Sequence, residues 1–355
     1  MTAPAIPRLP LLLAGAVSLL AGLLAGEARL GWALPLSFLH LHGPLMVCGF
    51  FGTVIALERA VALGRPWAFA GPFATGGGGL LLLAGAESSG AIMLTLGSVI
   101  FLAVAMKVVK RQPEPFTRLL ALGALSWAVG NLLWTLGASV PEVVPLWAAF
   151  LVLTIAGERL ELSRFLKPWR WREPTLVPPL LLIGGGAGLA AAGLPFAWTA
   201  FGLGCIALVA WSLVNDIVRR TIRQPGLTRY VAICLLSGYV WLGVAGALMP
   251  GLDTGFDSLR YDAALHALFV GFIFAMVFGH APVILPAVLK VKLPFRPYFY
   301  APLAVLHASL LLRVAGDLLA SDTARMWGGM LNGLAVLAFV AMVVATITFR
   351  EKATS

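Results

Sequence analysis

The chain has 355 residues, of which 60% are hydrophobic and 11% are charged, with a mean hydropathy of +0.94 and a net charge of +10. Soluble proteins carry about 25% charged residues, so this composition excludes an ordinary soluble domain and indicates a polytopic membrane protein. The basic residues form short clusters between apolar runs, which is the pattern of membrane proteins, and nothing resembles a continuous basic stripe with aromatic residues for stacking bases. The charge therefore does not indicate a nucleic-acid partner.

Twelve apolar runs are candidates for transmembrane helices, each of which needs about 20 residues to cross the hydrocarbon core. We expect an all-α polytopic membrane protein with spans near residues 9–26, 37–61, 67–86, 90–108, 116–138, 143–164, 175–193, 196–217, 227–250, 261–287, 296–319 and 325–348. Because no stretch between the spans is long enough for a soluble domain, we predict a single transmembrane domain over residues 1–355.

Basic residues are concentrated in alternate loops along the chain. The loops after spans 2, 4, 6, 8 and 10 hold clusters at residues 65, 107–111, 167–172, 219–223 and 290–296, and the C-terminus holds Arg350 and Lys352. The opposite loops are poor in Lys and Arg, and they carry Glu87, Glu142, Asp253 and Asp257. By the positive-inside rule, both termini are predicted to be cytoplasmic.

Span 2 begins with two histidines, His40 and His42. Because an imidazole inside hydrocarbon is costly, it is usually functional. The two residues are about 200° apart around a helix, so only one of them can face a given partner. We favour His42, which lies deeper and precedes Gly43, a residue that leaves room for a large planar group.

Spans 2, 6 and 10 contain related segments, GFFGTVIALE (49–58), AFLVLTIAGE (149–158) and GFIFAMVFGH (271–280). Each has a small residue, then Phe, then an apolar run that ends in Glu or His. We interpret the pattern as a pseudo-threefold repeat of four-helix units, with boundaries near 1–112, 113–222 and 223–355.

Span 10 carries two histidines that are predicted to serve two different sites. His266 has the same predicted depth as His42, and the two are predicted to be axial ligands of a haem iron. His280 lies about 21 Å deeper, level with Glu58 and Glu158, and these three are predicted to hold a metal ion or to pass protons. The alternatives are backbone hydrogen bonds for the histidines and pairing with basic neighbours for the carboxylates.

Span 11 contains the last polar candidates. His307 lies in its middle and is predicted to face a second haem, a copper ion or a polar partner. Arg313 and Asp317 are four residues apart, which suits an ion pair on one helix. Alternatively, Arg313 meets a haem propionate, as does Arg260 before span 10.

The twelve spans, the histidines of spans 2 and 10 and the segment HALFVGFIFAMVFG (266–279) resemble the NnrS family of membrane proteins. The resemblance implies haem b and copper, a bacterial inner membrane and a link to nitric oxide metabolism in denitrifying bacteria. Its specific residues are His266, Ala267, Leu268, Val270, Gly271, Met276, Gly279 and the His42 segment. The layout of three sets of four helices is also similar to the catalytic subunit of haem–copper oxidases. Spans 6 and 7 contain no histidine, so we do not expect the copper site of those oxidases or oxygen reduction by their mechanism.

The leading hypothesis is therefore an NnrS-like haem b protein. It would transfer electrons, for example from quinol, or bind or sense nitric oxide. The alternative is a secondary transporter in which buried Glu and His line a path and the helix breaks at His280-Ala281-Pro282 and at Pro286. A scaffold or assembly factor without a cofactor is the third class.

Overall fold

A computed structural model describes residues 8–166, 169–252 and 259–354, with side chains as far as residue 348. Lys167, Asp253 and Asp257 of the charge argument lie outside the described residues, as do the side chains of Arg350 and Lys352. Within the described ranges, every regular element is a helix, so the predicted all-α fold class is confirmed.

Twelve longer helices follow one another along the described chain. They are α1 Arg8–Arg29, α2 Leu39–Leu63, α3 Ala70–Leu83, α4 Glu87–Arg111, α5 Pro115–Thr135, α6 Val140–Ser163, α7 Pro174–Ala191, α8 Ala197–Asn215, α9 Gly226–Leu248, α10 Leu259–Leu289, α11 Pro297–Leu318 and α12 Asp322–Thr354. Eleven of them are long and apolar enough to cross a membrane, so the protein is a multi-pass membrane protein.

Helix α3 is the exception, and it corresponds to the predicted span 67–86. The helix has 14 residues, which give a length of about 21 Å, against about 30 Å for the hydrocarbon core of a bilayer. It contains four consecutive glycines at 76–79. A 3-10 turn, Pro66–Phe69, leads into α3.

The chain divides into two compact units, Met1–Glu158 and Arg159–Ser355, with the boundary inside α6. In the first unit, helices that follow one another pack together, and α1 also contacts α3. In the second unit, α7 to α12 likewise pack on their neighbours in sequence. Short connections favour this arrangement. The threefold division at 1–112, 113–222 and 223–355 stays a prediction.

Two helices, α2 and α10, change to π-helical hydrogen bonding over eight residues each. The segments are Leu45–Gly52 and Ala267–Phe274, and each begins within three residues after a histidine, His42 or His266. The two π segments begin and end at equivalent positions when the predicted repeats are aligned, with Gly49 opposite Gly271. Residues 149–158 of span 6 lie instead in a regular α-helix. Spans 2 and 10 thus share a backbone feature that span 6 lacks.

A tryptophan ring packs against a glycine in each π segment. The Trp127 ring lies against Gly52 in the first unit, and the Trp241 ring lies against Gly271 in the second. A Cβ atom at either glycine would overlap the indole ring. The close approach of these rings to the helix backbone therefore depends on glycine.

The predicted break in α10 at His280 is wrong. The α-helix runs without interruption over Ala275–Leu289, with Pro282 and Pro286 inside it. Each proline removes one backbone hydrogen bond, yet the helix continues. The irregular part of α10 is the π segment, which ends before Ala275.

Candidate functional site

His42 lies at the start of α2 and packs against α1. Its Nδ1 is 2.7 Å from the carbonyl oxygen of Gly22. One turn further along α1, a Cβ at Gly26 would come within 2.8 Å of the imidazole Cε1, so Gly26 makes room for the ring. The predicted open face at Gly43 is filled, because Val140 lies 3.2 Å from an ideal Cβ there.

His40 lies in a different environment from His42. Its Nε2 is 3.0 Å from Oε1 of Glu87, and the two side chains are 59% and 51% exposed. The ring is therefore at the surface, with its Nε2 engaged by a carboxylate. This arrangement favours His42 over His40 as a ligand inside the membrane.

His266 ends the first α-helical part of α10, directly before the π segment. Its Nδ1 is 2.8 Å from the backbone oxygen of Asp262, one turn earlier, and 3.3 Å from Oδ1 of the same residue. The ring is half-buried. The sequence analysis did not identify Asp262 as a partner of His266. Asp262 nevertheless lies four residues before His266, which is the usual spacing for side-chain pairs on a helix.

His42 and His266 share one chemical feature. In each, Nδ1 lies within hydrogen-bond distance of a backbone carbonyl oxygen, which can only accept. This is the backbone hydrogen bond of the alternative to haem ligation, and His280 makes one as well. The neutral ring therefore carries its proton on Nδ1 and its lone pair on Nε2. This is the tautomer found in metal-binding histidines whose ring N–H is fixed by a carbonyl or carboxylate.

The predicted ion pair between Arg313 and Asp317 within α11 does not form. Nη2 of Arg313 is 2.9 Å from Oδ2 of Asp262 on α10. Oδ1 of Asp317 is 2.7 Å from Nε of Arg325 on α12. Both charged residues thus pair with neighbouring helices rather than along their own. The other predicted propionate partner, Arg260, lies exposed in the first turn of α10.

His307 has a polar partner at each ring nitrogen. The indole Nε1 of Trp241 donates to Nδ1 of His307 at 3.0 Å, and Nε2 of His307 is 2.8 Å from Oγ of Ser237. Because an indole N–H can only donate, the neutral imidazole carries its proton on Nε2. The third predicted alternative, a polar partner, is therefore the arrangement found here.

Glu58 and Glu158 are brought together through one arginine. Nη2 of Arg59 is 2.6 Å from Oε1 of Glu158, and Nε of Arg59 is 3.1 Å from Oε2 of Glu58. The three side chains are 22–26% exposed. This is the pairing with a basic neighbour that was the alternative to a metal site. Arg59 directly follows Glu58 in the chain, but its contact with Glu158 depends on how α2 and α6 pack.

His280 lies in the regular α-helical part of α10. Its Nδ1 is 2.6 Å from the backbone oxygen of Met276, one turn earlier. In the described part of the chain, no group of three or more His, Cys, Asp and Glu side chains is arranged to hold a metal ion. The metal or proton role of Glu58, Glu158 and His280 stays a prediction.

A buried charged cluster in the second unit was not anticipated from the sequence. The side chains of Arg159 and Asp216 are 3% and 0% exposed, and Nε of Arg159 is 3.7 Å from Oδ2 of Asp216. The Tyr239 hydroxyl donates to the same Oδ2 at 2.5 Å, and the backbone N–H of Val218 donates to Oδ1 at 2.9 Å. Asp216 thus accepts two hydrogen bonds beside a buried guanidinium group. The sequence signals were two charged residues within predicted spans, Arg159 in 143–164 and Asp216 near the end of 196–217.

Comparison with known proteins identifies a family that covers almost the whole chain. No curated protein matches the sequence. A family model described as a domain of unknown function (DUF8744) matches residues 8–348. The matched region contains all twelve helices except the last residues of α12. The chain therefore belongs to the DUF8744 family.

Proposed function

We propose that this protein is an NnrS-like integral membrane protein that binds haem b through Nε2 of His42 and Nε2 of His266. The observation that carries the proposal is that each of these two histidines lies within three residues before a π segment and has its Nδ1 within hydrogen-bond distance of a backbone carbonyl oxygen, at 2.7 and 2.8 Å. His280 shares the contact with a carbonyl but not the position before a π segment. Iron binds the unprotonated nitrogen of a neutral imidazole, and a fixed Nδ1–H directs the lone pair to Nε2.

The surroundings of both histidines also fit a haem group. Each histidine is followed by an eight-residue π segment of apolar residues, LMVCGFFG after His42 and ALFVGFIF after His266. π-Helical segments inside α-helices are frequent at functional sites. Apolar helices exclude water from a macrocycle, and Arg260 is a cation available to a propionate at the exposed start of α10.

Bound haem b would supply one-electron redox chemistry and a site for small gaseous ligands. With two histidine ligands on one iron, we propose electron transfer, for example from a quinol. With one ligand on an iron, we propose binding of nitric oxide. The positive-inside pattern supports both termini in the cytoplasm, and the resemblance to the NnrS family implies a bacterial inner membrane.

Absorption spectroscopy of the purified protein tests the proposal. After expression with ample haem and purification in mild detergent, we expect a Soret band and sharp α and β bands on reduction. The His42→Ala and His266→Ala variants should each lose or shift these bands. His280→Ala is the matched control, because His280 also lies on α10 with its Nδ1 on a backbone oxygen, and it should keep them. The ratio of haem to protein distinguishes one shared iron from two.

A colourless wild-type protein after expression with ample haem would reject the proposal. Bands that survive in both the His42→Ala and the His266→Ala variant would reject these ligands. If the protein is coloured, addition of carbon monoxide to the reduced form separates the two roles, because an iron with two histidine ligands has no open position.

A secondary transporter is the second candidate, and the buried pair of Arg159 and Asp216 favours it. Ionisable groups buried in membrane proteins often mark ion or proton paths. The test is proton flux into liposomes that contain the purified protein, driven by an imposed membrane potential. Asp216→Asn should abolish this flux, whereas Asp322→Asn should not, because the Asp322 side chain is 86% exposed. Absence of flux in the wild-type protein would reject proton transport.

A further inference from the structure

His266 belongs to a charge network that links α10 and α11. The carboxylate of Asp262 divides its two oxygens between different partners. Oδ1 is 3.3 Å from Nδ1 of His266, and Oδ2 is 2.9 Å from Nη2 of Arg313. The imidazole of His266, the carboxylate of Asp262 and the guanidinium of Arg313 therefore form a short chain of polar and charged groups. The chain begins at Nδ1 of the imidazole, on the opposite side of the ring from the proposed iron-binding atom, Nε2.

This chain is largely shielded from water. The side chains of Arg313, His266 and Asp262 are 9%, 17% and 31% exposed. Electrostatic interactions are stronger at such sites than in bulk water, because the local dielectric constant is lower. Removal of the charge of Asp262 or Arg313 should therefore change the electrostatic potential at the imidazole of His266.

The backbone and the side chain of Asp262 have separate effects on His266. The backbone oxygen, at 2.8 Å, fixes the tautomer whatever side chain residue 262 carries. The carboxylate adds negative charge near the same N–H, which increases the electron-donating strength of the ring. Arg313 withdraws part of that charge, because it holds the second oxygen of the carboxylate.

We propose that Asp262 is a positioning residue that raises the basicity of His266 as an iron ligand, and that Arg313 limits this effect. The inference rests on the proposed haem ligation and extends it to the control of the reduction potential. A more basic imidazole stabilises ferric over ferrous iron and so lowers the potential. Hydrogen bonding outside the ligand shell is one of the means by which proteins adjust haem iron.

Redox titration of the purified haem protein, combined with electron paramagnetic resonance of its ferric form, tests the inference. Asp262→Asn should raise the potential by at least a tenfold change in the reduction equilibrium, about 59 mV for one electron. Arg313→Gln should lower it, and Asp262→Glu should restore part of the wild-type value. The g-values of the ferric iron should change in Asp262→Asn, because they report the donor strength of the axial imidazole.

Asp322→Asn is the matched control. It removes a carboxylate from the same end of the second unit, where Asp322 pairs with Arg325 at 3.1 Å without touching His266. We expect less than a twofold change in its reduction equilibrium and unchanged g-values. If Asp262→Asn is poorly produced because Arg313 is left without a counter-ion, the double variant Asp262→Asn/Arg313→Gln should still have a higher potential than Arg313→Gln alone.

Three outcomes would overturn the inference. The first is an unchanged potential and unchanged g-values in Asp262→Asn. The second is an equal shift in Asp262→Asn and Asp322→Asn, which would show that only net charge matters. The third is a colourless wild-type protein, which would reject the haem assignment together with this inference, whereas the first two leave haem binding intact.

Discussion

At the scale of single residues, hydrogen-bond partners separate the histidines into different classes. His42, His266 and His280 each have Nδ1 within hydrogen-bond distance of a backbone carbonyl oxygen. His307 instead accepts at Nδ1 from Trp241, and its Nε2 faces Ser237. His307 thus has the opposite tautomer, with no lone pair on Nε2. A ligand role for His307 would require both of its hydrogen bonds to break.

We therefore expect His307→Ala to reduce stability without removing a haem spectrum. The substitution leaves the Trp241 N–H without its acceptor, which should cost about 1–3 kcal/mol. The midpoint of thermal unfolding in detergent measures the effect. His307→Gln, which keeps an acceptor, should lose less. Loss of the Soret band in His307→Ala would contradict this structural role.

The buried cluster of Arg159, Asp216 and Tyr239 gives a second prediction at this scale. Asp216→Ala leaves a buried guanidinium group without its carboxylate, and we expect a loss of about 3–5 kcal/mol. Tyr239→Phe removes only a hydrogen bond and should cost about 1.5–3 kcal/mol, because the acceptor is charged. Unfolding midpoints check both values. The exposed control Asp322→Ala should change the free energy of unfolding by about 0.5 kcal/mol or less. If Asp216→Ala is as stable as this control, the buried contacts of Asp216 do not stabilise the fold.

The sequence indicates which residues are polar inside the membrane, but it does not indicate their partners. Arg313 and Asp317 have the correct spacing for a pair on one helix, yet each pairs with a different helix. The choice depends on how each helix is rotated about its axis. The polar residues of α11 lie on its buried side, as is usual for polar residues of membrane helices, but the sequence does not indicate which neighbouring helix supplies their partners.

At the scale of helices, the number and approximate bounds of the longer helices could be predicted, because length and hydropathy determine them. One of the twelve predicted spans, 67–86, contains a helix of only 14 residues, and eleven of the described helices are long and apolar enough to cross a membrane. The two π segments could not be predicted. Leu45–Gly52 and Ala267–Phe274 consist only of apolar residues and glycine, so a longer repeat cannot be distinguished from 3.6 residues per turn. The recurrence of the segments GFFGTVIALE and GFIFAMVFGH was the only sign that α2 and α10 share a feature.

The glycines in the π segments give a prediction for these helices. Gly52→Ala and Gly271→Ala should each be destabilising, because the new methyl group would overlap the Trp127 or the Trp241 ring. We expect losses of about 1–3 kcal/mol, the usual cost of overpacking. Gly184→Ala on α7 is the control, since no atom lies within 4 Å of its ideal Cβ, and it should be neutral or stabilising. A lower midpoint of thermal unfolding for Gly184→Ala than for Gly52→Ala and Gly271→Ala would contradict the packing argument.

At the scale of the whole molecule, the positive-inside pattern predicts orientation, which cysteine labelling can measure. The three native cysteines, Cys48, Cys205 and Cys234, are buried and should not react. Ser88→Cys, at the exposed start of α4, should react in intact cells with a maleimide that does not cross the membrane. Gln112→Cys, at the exposed other end of α4, should react only after the membrane is opened. The reverse pattern would place both termini outside.

The π segments also affect how related sequences are aligned. A π-helix bonds residue i to i+5, so it uses more residues per turn than an α-helix does. A relative that is regularly α-helical at these places would have fewer residues there, and its alignment should contain a gap within 45–52 or 267–274 rather than in a loop. A gap inside a membrane helix, shortly after a histidine, would thus record the gain or loss of this feature during the history of the family.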